Sequence, residues 1–167
     1  GFLIQGPYRT TPSRDNIPKD EPWNRYLVSE TAKFLVSSLR KVRELGFLTV
    51  NALEALVLDP TKYQSDSQAG MFRPICDAIL AALRTECLIP QFGGGYVAAK
   101  NGRLARAENL RELISTKQLQ DFVGSTEETG WIDGDITRNL TPTLFPFLMN
   151  QVGVKKIDSE DFVRDVS

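Results

Sequence analysis

Two segments with apolar residues at helical spacing constrain the fold of this chain most strongly. The first covers residues 20–46, where Asp20 is a favourable N-cap, Pro22 suits the first turn and Gly46 suits the C-terminal stop. The second covers residues 71–86. The apolar positions are Tyr26, Leu27, Phe34, Leu35, Leu39 and Val42 in the first segment, and Phe72, Ile75, Cys76, Ile79, Leu80 and Leu83 in the second. Because both patterns repeat every three to four residues, they predict two long amphipathic helices.

Shorter patterns complete the predicted architecture. Further helices are predicted at residues 51–56, capped by Asn51, and at 104–114, 117–123, from Thr141 onward and at 159–166. Residues 59–70 are polar and predict a surface loop, while residues 2–5 and 96–99 favour short strands. We therefore predict a mainly α, multi-helix domain with a small β element near the N-terminus, and α+β as the alternative. Residues 1–19 would form a strand and an arginine-bearing loop, and residues 20–167 a helical domain.

The charge balance and the absence of histidine exclude several classes of function. Lys and Arg together number 20 and Asp and Glu 21, so we expect no strong attraction to nucleic acid or to an anionic membrane. A chain without histidine lacks the usual general base near neutral pH and the commonest zinc ligand. We expect no metal site in this chain, and no stand-alone enzyme, because no nucleophile paired with a base is apparent.

Cellular context is predicted from the cysteines and from the lack of a long apolar segment. On one helix Cys76 and Cys87 would lie roughly 16 Å apart, too far for a disulfide, and we expect buried thiols in a reducing compartment. No apolar run approaches the ~20 residues of a membrane span, so a cytoplasmic location is expected. The chain begins with Gly1 followed by an apolar run, and we expect it to be part of a larger protein.

Three other features each allow a functional and a structural interpretation, and the structural one is favoured. The glycines at 93–95 lack the Gly-Lys-Ser/Thr of a phosphate loop and favour a connection between elements. Asp133 and Asp135 lack the remaining ligands of a calcium loop and favour a turn. Trp23 and Trp131 could anchor a partner, but large aromatic residues beside proline or glycine more often pack at the edge of a core.

The segment at residues 6–18 has a high density of backbone constraints, with one glycine and three prolines around two arginines. Such a loop can hold a guanidinium rigidly toward phosphate or carboxylate, since the planar group pairs with both oxygens of such a partner. The structural alternative is a turn in which Arg9 and Arg14 cap carbonyls or pair with Asp15 and Asp20. Composition alone favours the turn.

Three motifs in and around this segment are distinctive: Phe2-Leu3-Ile4-Gln5-Gly6-Pro7-Tyr8-Arg9, Ser13-Arg14-Asp15-Asn16-Ile17 and Pro22-Trp23-Asn24. Weaker ones are Leu53-Glu54-Ala55-Leu56, Leu88-Ile89-Pro90 and Leu104-Ala105-Arg106. Together they resemble the region downstream of the ATP-binding domain in sacsin-like proteins, which belong to the GHKL group of ATPases together with the ninety-kilodalton heat-shock chaperones. The resemblance is specific over residues 2–24 and covers most of the chain more loosely.

In the heat-shock chaperones a loop with a Ser-Arg-Glu core supplies an arginine to the γ-phosphate of ATP held in the preceding domain. The resemblance implies that Arg14 has this role, with Arg9, Ser13 and Asp15 in the loop near the nucleotide; Asp15 stands where the chaperones have Glu. ATP and Mg²⁺ would bind elsewhere in the full-length protein, because this chain contains none of the ATP-binding motifs of the group. The expected partner is the upstream ATP-binding domain. Binding of protein clients and assembly into a homo-oligomer are also compatible with the resemblance.

A second hypothesis is a helical protein-interaction module with no part in hydrolysis. The conformation of the loop distinguishes the two. A phosphate sensor requires Arg14 to project from an ordered loop without an internal carboxylate partner. An interaction module gains support if Arg14 is held in a salt bridge with Asp15, Asp20 or another acid of this chain.

Overall fold

The computed structural model describes residues 4–64, 68–107 and 109–157. It confirms a mainly helical fold with small β elements. The helices are α1 (Pro22–Glu44), α2 (Val50–Glu54), α3 (Arg73–Thr85), α4 (Leu110–Leu113), α5 (Thr116–Phe122) and α6 (Leu144–Phe147), which continues as one π-helical turn at Leu148–Val152. Two 3₁₀ turns, Pro60–Tyr63 and Gln68–Phe72, lie between α2 and α3. The strands are β1 (Ile89–Pro90), β2 (Tyr96–Val97), β3 (Gly102–Ala105), β4 (Gly130–Trp131) and β5 (Lys155–Ile157).

The first long helix begins and ends for identifiable reasons. Pro22 occupies the first turn, and the residue before a proline is kept out of helical geometry. Glu21 is accordingly extended and takes the N-cap position without a side-chain bond, so the predicted cap at Asp20 is wrong by one residue. At the other end Gly46 has φ +75°, and the amides of Gly46 and Phe47 donate to carbonyls of the last turn. This glycine-terminated end confirms the predicted stop.

α1 packs against α3 through a stripe that matches the predicted one at Leu35, Leu39 and Val42 but not at Tyr26 and Phe34. The buried residues of α1 are Asn24, Val28, Ala32 and Leu39, and those of α3 include Ile75, Ile79 and Leu83. Tyr26 and Phe34, predicted to be buried, are 56% and 73% exposed. The stripe containing Ala32 faces α3 instead, because a small side chain allows the two helix axes to approach closely. The guanidinium of Arg40 donates two 2.7 Å hydrogen bonds to Glu86 and links α1 to the end of α3.

The second half of the chain is organised by a small parallel sheet that the sequence did not predict. β3 is the central strand, with β4 and β5 on either side. The predicted helix at 104–114 is therefore wrong over its first residues and is confirmed only at α4. A Cβ added to Gly102 would lie 2.9 Å from Ile132, so the strand packs closely against its neighbour. Pairing on both edges overrides the local helical preference of this segment.

Most other local predictions are confirmed with shifted boundaries. The N-cap of α2 is Thr49, whose hydroxyl accepts a hydrogen bond from the amide of Ala52. The predicted cap, Asn51, lies inside the helix. α5 starts at a capping box formed by Ser115 and Gln118. The three glycines at 93–95 all have positive φ and connect β1 to β2, and residues 96–97 form part of the predicted strand. Asp133 accepts a bond from the amide of Asp135, as expected for a turn.

The predictions for the aromatic residues and cysteines are confirmed only in part. Trp131 is buried and donates its indole N–H to the carbonyl of Ile114, whereas Trp23 is 41% exposed. Neither cysteine is in a disulfide. Cys76 is buried within α3, whereas Cys87 lies beyond the end of this helix at Thr85 and is exposed. No helix in the described ranges has the length and apolarity to cross a membrane.

Two predicted elements fall wholly or partly beyond the described residues. The helix expected at 159–166 lies outside them, as do residues 2 and 3 of the strand predicted at 2–5. Residues 4 and 5 belong to no strand, and neither do residues 6–11. This segment is instead held by contacts of its side chains and backbone with the helices, and Ile4 and Tyr8 pack on the main core. Within the described ranges, the β elements lie between residues 89 and 157.

Candidate functional site

The arginine-bearing loop, residues 9–18, is fixed to α1 by one buried side chain. Asn24 is fully buried, and its carboxamide oxygen accepts a 2.8 Å bond from the amide of Arg9. Its nitrogen donates to the carbonyls of Arg9 and Pro18 at 2.9 and 3.0 Å. Asn24 therefore holds both ends of the loop, and its amide group is satisfied as a buried polar group requires. The indole of Trp23 supports the same segment by donating to the carbonyl of Pro7.

Within the loop the backbone turns back on itself over a short span. The amide of Arg14 donates to the carbonyl of Thr11 at 2.8 Å, and the amide of Thr11 donates to the carbonyl of Asn16 at 2.9 Å. Arg14 has φ +58°, which places it in the left-handed region. A residue with a Cβ is disfavoured there by about 1–2 kcal/mol. Among the described residues it is the one non-glycine with positive φ, so an arginine occupies a position that favours glycine.

The acid next to Arg14 is engaged by hydroxyls and not by the guanidinium. The Oδ1 atom of Asp15 accepts hydrogen bonds from Thr11 at 2.6 Å and from Ser13 at 2.7 Å. These bonds stabilise the ionised form, so Thr11 first and Ser13 second hold the pKa of Asp15 below its ordinary value of 3.8. Ser13 and Asp15, two of the residues predicted for the site, thus shape the loop from within.

The two arginines of the loop differ in their partners. Arg9 donates to Glu21 at 2.7 Å and forms a surface ion pair. Arg14 is exposed, and within the described ranges no acid forms a salt bridge with it. Its side chain borders a recess of about 530 Å³. The other residues around that recess are Thr10, Asp15, Asn16, Ile17, Ala69, Met71 and Phe72. The four predicted site residues therefore share one loop, in which Arg9 has a salt-bridge partner and Arg14 borders the recess.

Asn24 and Thr11 are the residues of this site to which no role was assigned from the sequence. Asn24 lies four residues before Val28 and eight before Ala32, so it continues the buried stripe of α1. A polar residue on such a stripe indicates a buried group that must find hydrogen-bond partners. Thr11 gives no comparable signal, because its bond to Asp15 depends on how the turn closes.

The pH dependence of the loop follows from the carboxylate of Asp15. A pKa that is lowered on folding stabilises the folded loop above the ordinary carboxyl pKa, and this contribution is lost as the pH falls through the lowered value. Replacing Thr11 with valine is expected to raise the pKa of Asp15 toward 3.8. The measurement is an NMR titration of the side-chain carboxyl carbons. The carboxyl of Asp59, whose pKa is lowered by Thr61, is the internal control, and an unchanged Asp15 would refute the assignment.

Comparisons with known proteins give one curated relative and no fold assignment. Protein NO VEIN of Arabidopsis thaliana is 29% identical over 143 residues, which cover 81% of this chain. The chain spans only 5% of the length of that relative. No family model matches the chain. No solved structure matches it.

Proposed function

We propose that this chain is a middle segment of a sacsin-like, chaperone-related ATPase and offers Arg14 to ATP bound in a neighbouring domain. The observation that carries the proposal is the state of Arg14, which is exposed on a closed loop in a left-handed conformation while the adjacent Asp15 is occupied by hydroxyls. The motifs around this loop are those on which the resemblance to sacsin-like proteins depends. The relationship to a small part of a much longer relative also supports a role as one segment of a large protein.

The proposed role uses the chemistry of a guanidinium. Phosphoryl transfer spreads negative charge over the transferring group, and a fixed cation near it stabilises the transition state. A preorganised cation acts most strongly because it needs no reorganisation during the reaction. The bonds from Thr11, Ser13 and Asn24 supply that order here, since they fix the loop on both sides of residue 14. Mg²⁺ and the remaining contacts to ATP would come from the neighbouring domain.

An arginine supplied from a second domain also links nucleotide state to domain arrangement. ATP would hold the two domains together through its phosphates, and hydrolysis would release that contact. Asn24 transmits the contact to α1, because the loop is bonded to this helix at both ends. α1 in turn packs along α3, so a force on the loop reaches the main core of the domain.

The experiment that tests this function combines the 167-residue chain with the separately produced ATP-binding domain. Alone, the chain is expected to bind Mg·ATP with a Kd weaker than about 1 mM by calorimetry, since one exposed arginine supplies little affinity. Added to the ATP-binding domain, it is expected to raise ATP turnover saturably. The Arg14→Ala chain should give no stimulation, and Arg25→Ala, which alters an exposed arginine on α1, should stimulate fully. Equal stimulation by both variants would refute the proposal.

A helical interaction module is the second candidate, and one observation favours it. Trp23, Tyr26 and Phe34 are exposed on the face of α1 that points away from α3, where they could bind a client or a second copy. Under this alternative Phe34→Ser abolishes partner binding, and Arg14→Ala changes neither binding nor turnover.

A further inference from the structure

A recess of about 380 Å³ beside α6, called the basic recess below, brings together two cations from different parts of the chain. Arg138 comes from the loop before α6, and Lys156 comes from β5. None of the described residues that line the recess is acidic. Its volume lies within the ~300–1,000 Å³ of pockets that hold small organic molecules. The other lining residues are Pro142, Phe145, Pro146, Met149 and Asn150.

Neither cation of the basic recess is neutralised by an acid of the described chain. Within residues 4–64, 68–107 and 109–157, neither Arg138 nor Lys156 forms a salt bridge. Both residues are exposed, so their charged groups are accessible to a solute. Two like charges at one recess repel each other, and a ligand with negative charge would convert that repulsion into attraction.

The guanidinium of Arg138 is supported by an aromatic ring. Its central carbon lies 5.8 Å from the centroid of Phe145, which is within the range of a cation–π contact. Phe145 belongs to the main core, so the ring itself is fixed. A guanidinium that is oriented before binding loses less freedom when it pairs with an anion.

One wall of the basic recess is formed by an irregular helical turn. Met149 and Asn150 belong to the π-helical turn that continues α6. Such turns are rare and occur frequently at functional sites. Met149 is half-buried and apolar, whereas Asn150 is exposed and carries a side-chain amide that can donate a hydrogen bond to an anion. The recess therefore combines hydrogen-bond donors with apolar surface.

We propose that the basic recess binds a small organic phosphate monoester, whose phosphate pairs with Arg138 and Lys156 and whose apolar body packs on Met149. A phosphate monoester carries a charge of about −1.5 to −2 near pH 7, which matches the two cations. Its three terminal oxygens accept hydrogen bonds from a guanidinium and from an ammonium group at the same time. The basic recess shares no lining residue with the recess beside Arg14, so this site does not depend on the proposed function.

The test begins with an NMR titration of the 167-residue chain with 1-naphthyl phosphate. Saturable binding is expected, with the largest amide shifts around residues 138, 149 and 156. 1-Naphthyl sulfate has nearly the same shape but a single charge, and it is expected to bind about fivefold more weakly or worse. 1-Naphthol lacks the anionic group and is expected to bind at least about tenfold more weakly. Absence of saturable phosphate binding would refute the site, and equal affinity for either control probe would refute the ligand class.

Two single substitutions test the assigned cations. Arg138→Gln and Lys156→Gln are each expected to weaken binding of 1-naphthyl phosphate about tenfold, because each removes a charge-assisted hydrogen bond. Lys155→Gln is the matched control. Neighbouring residues of a strand point to opposite faces, and Lys155 is exposed but does not line the recess, so its loss should change the affinity less than about twofold. Equal weakening by Lys155→Gln and Lys156→Gln would contradict the proposal.

A further variant adds a charge to the recess without removing a cation. Asn150→Asp places a carboxylate of almost the same shape in the wall, and it is expected to weaken binding about fivefold or more through repulsion. Asn51→Asp makes the same change at an exposed asparagine of α2 and should leave the affinity unchanged. All substituted positions are exposed, and the amide spectrum of each variant verifies its folding. An affinity that Asn150→Asp leaves unchanged would overturn the placement of the phosphate in this recess.

Discussion

Replacing Asn24 with alanine is expected to lower the free energy of unfolding of this chain by about 3 kcal/mol. The side chain makes three hydrogen bonds to the backbone of the arginine-bearing loop and is fully buried. Its removal leaves the amide of Arg9 and the carbonyls of Arg9 and Pro18 without those partners. The loop then either keeps unpaired polar groups or separates from α1, and both outcomes cost stability.

Urea denaturation measures this loss, and limited digestion with trypsin locates it. Loop separation exposes the bonds after Arg9 and Arg14, so cleavage there should be faster in Asn24→Ala than in the unmodified chain. Asn51→Ala is the matched control, because Asn51 is an exposed asparagine in a short helix. A loss below about 1 kcal/mol, or one equal to that of the control, would contradict the role given to Asn24.

The long helices could be predicted because their signals are local. α1 is bounded by Pro22 and Gly46, and the apolar spacing of α3 is regular from Ile75 to Leu83. The side of α1 that packs inward could not be read from hydrophobicity alone. Tyr26 and Phe34 are the larger apolar residues, yet the stripe with Asn24 and Ala32 is buried, because close packing and the bonds to the loop decide the orientation.

The parallel sheet could not be predicted for a different reason. β3, β4 and β5 contain two to four residues each, and their pairing joins segments that are about 25–50 residues apart. Strands this short carry almost no periodic signal, and their stability comes from partners that are distant in the sequence. Arg103 and Leu104 therefore belong to a central strand although the segment after them favours a helix.

The candidate site was predicted in its composition but not in its conformation. Pro7, Pro12 and Pro18 indicated a constrained loop, and the resemblance singled out Arg14 within it. The left-handed backbone of Arg14 and the binding of Asp15 by Thr11 and Ser13 result from how the turn closes. Neither feature has a sequence signal, since arginine is not a residue that usually adopts positive φ.

Replacing Arg14 with alanine in the full-length protein is expected to reduce ATP turnover about 100- to 1,000-fold. The reason is the loss of a fixed positive charge from the phosphate that is transferred. Lysine at this position should recover part of the rate, because it restores the charge but not the planar, two-pronged hydrogen bonding of arginine. ATP affinity should change less than turnover if the contact is stronger in the transition state than in the ground state.

Arg14→Gly separates the catalytic role from a structural one. Glycine adopts φ +58° without the steric cost of a Cβ, so this variant is expected to be about 1 kcal/mol more stable than the unmodified chain. A rate loss in Arg14→Gly therefore cannot result from unfolding. Arg25→Ala, which removes an exposed arginine from α1, controls for a general change in surface charge.

ATP turnover by the full-length Arg14→Gly protein, measured together with its unfolding free energy, tests the proposed contact most directly. The contact predicts a rate at least about 100-fold below that of the unmodified protein, with stability equal or higher. A rate within about twofold of the unmodified protein would show that residue 14 does not act on the nucleotide.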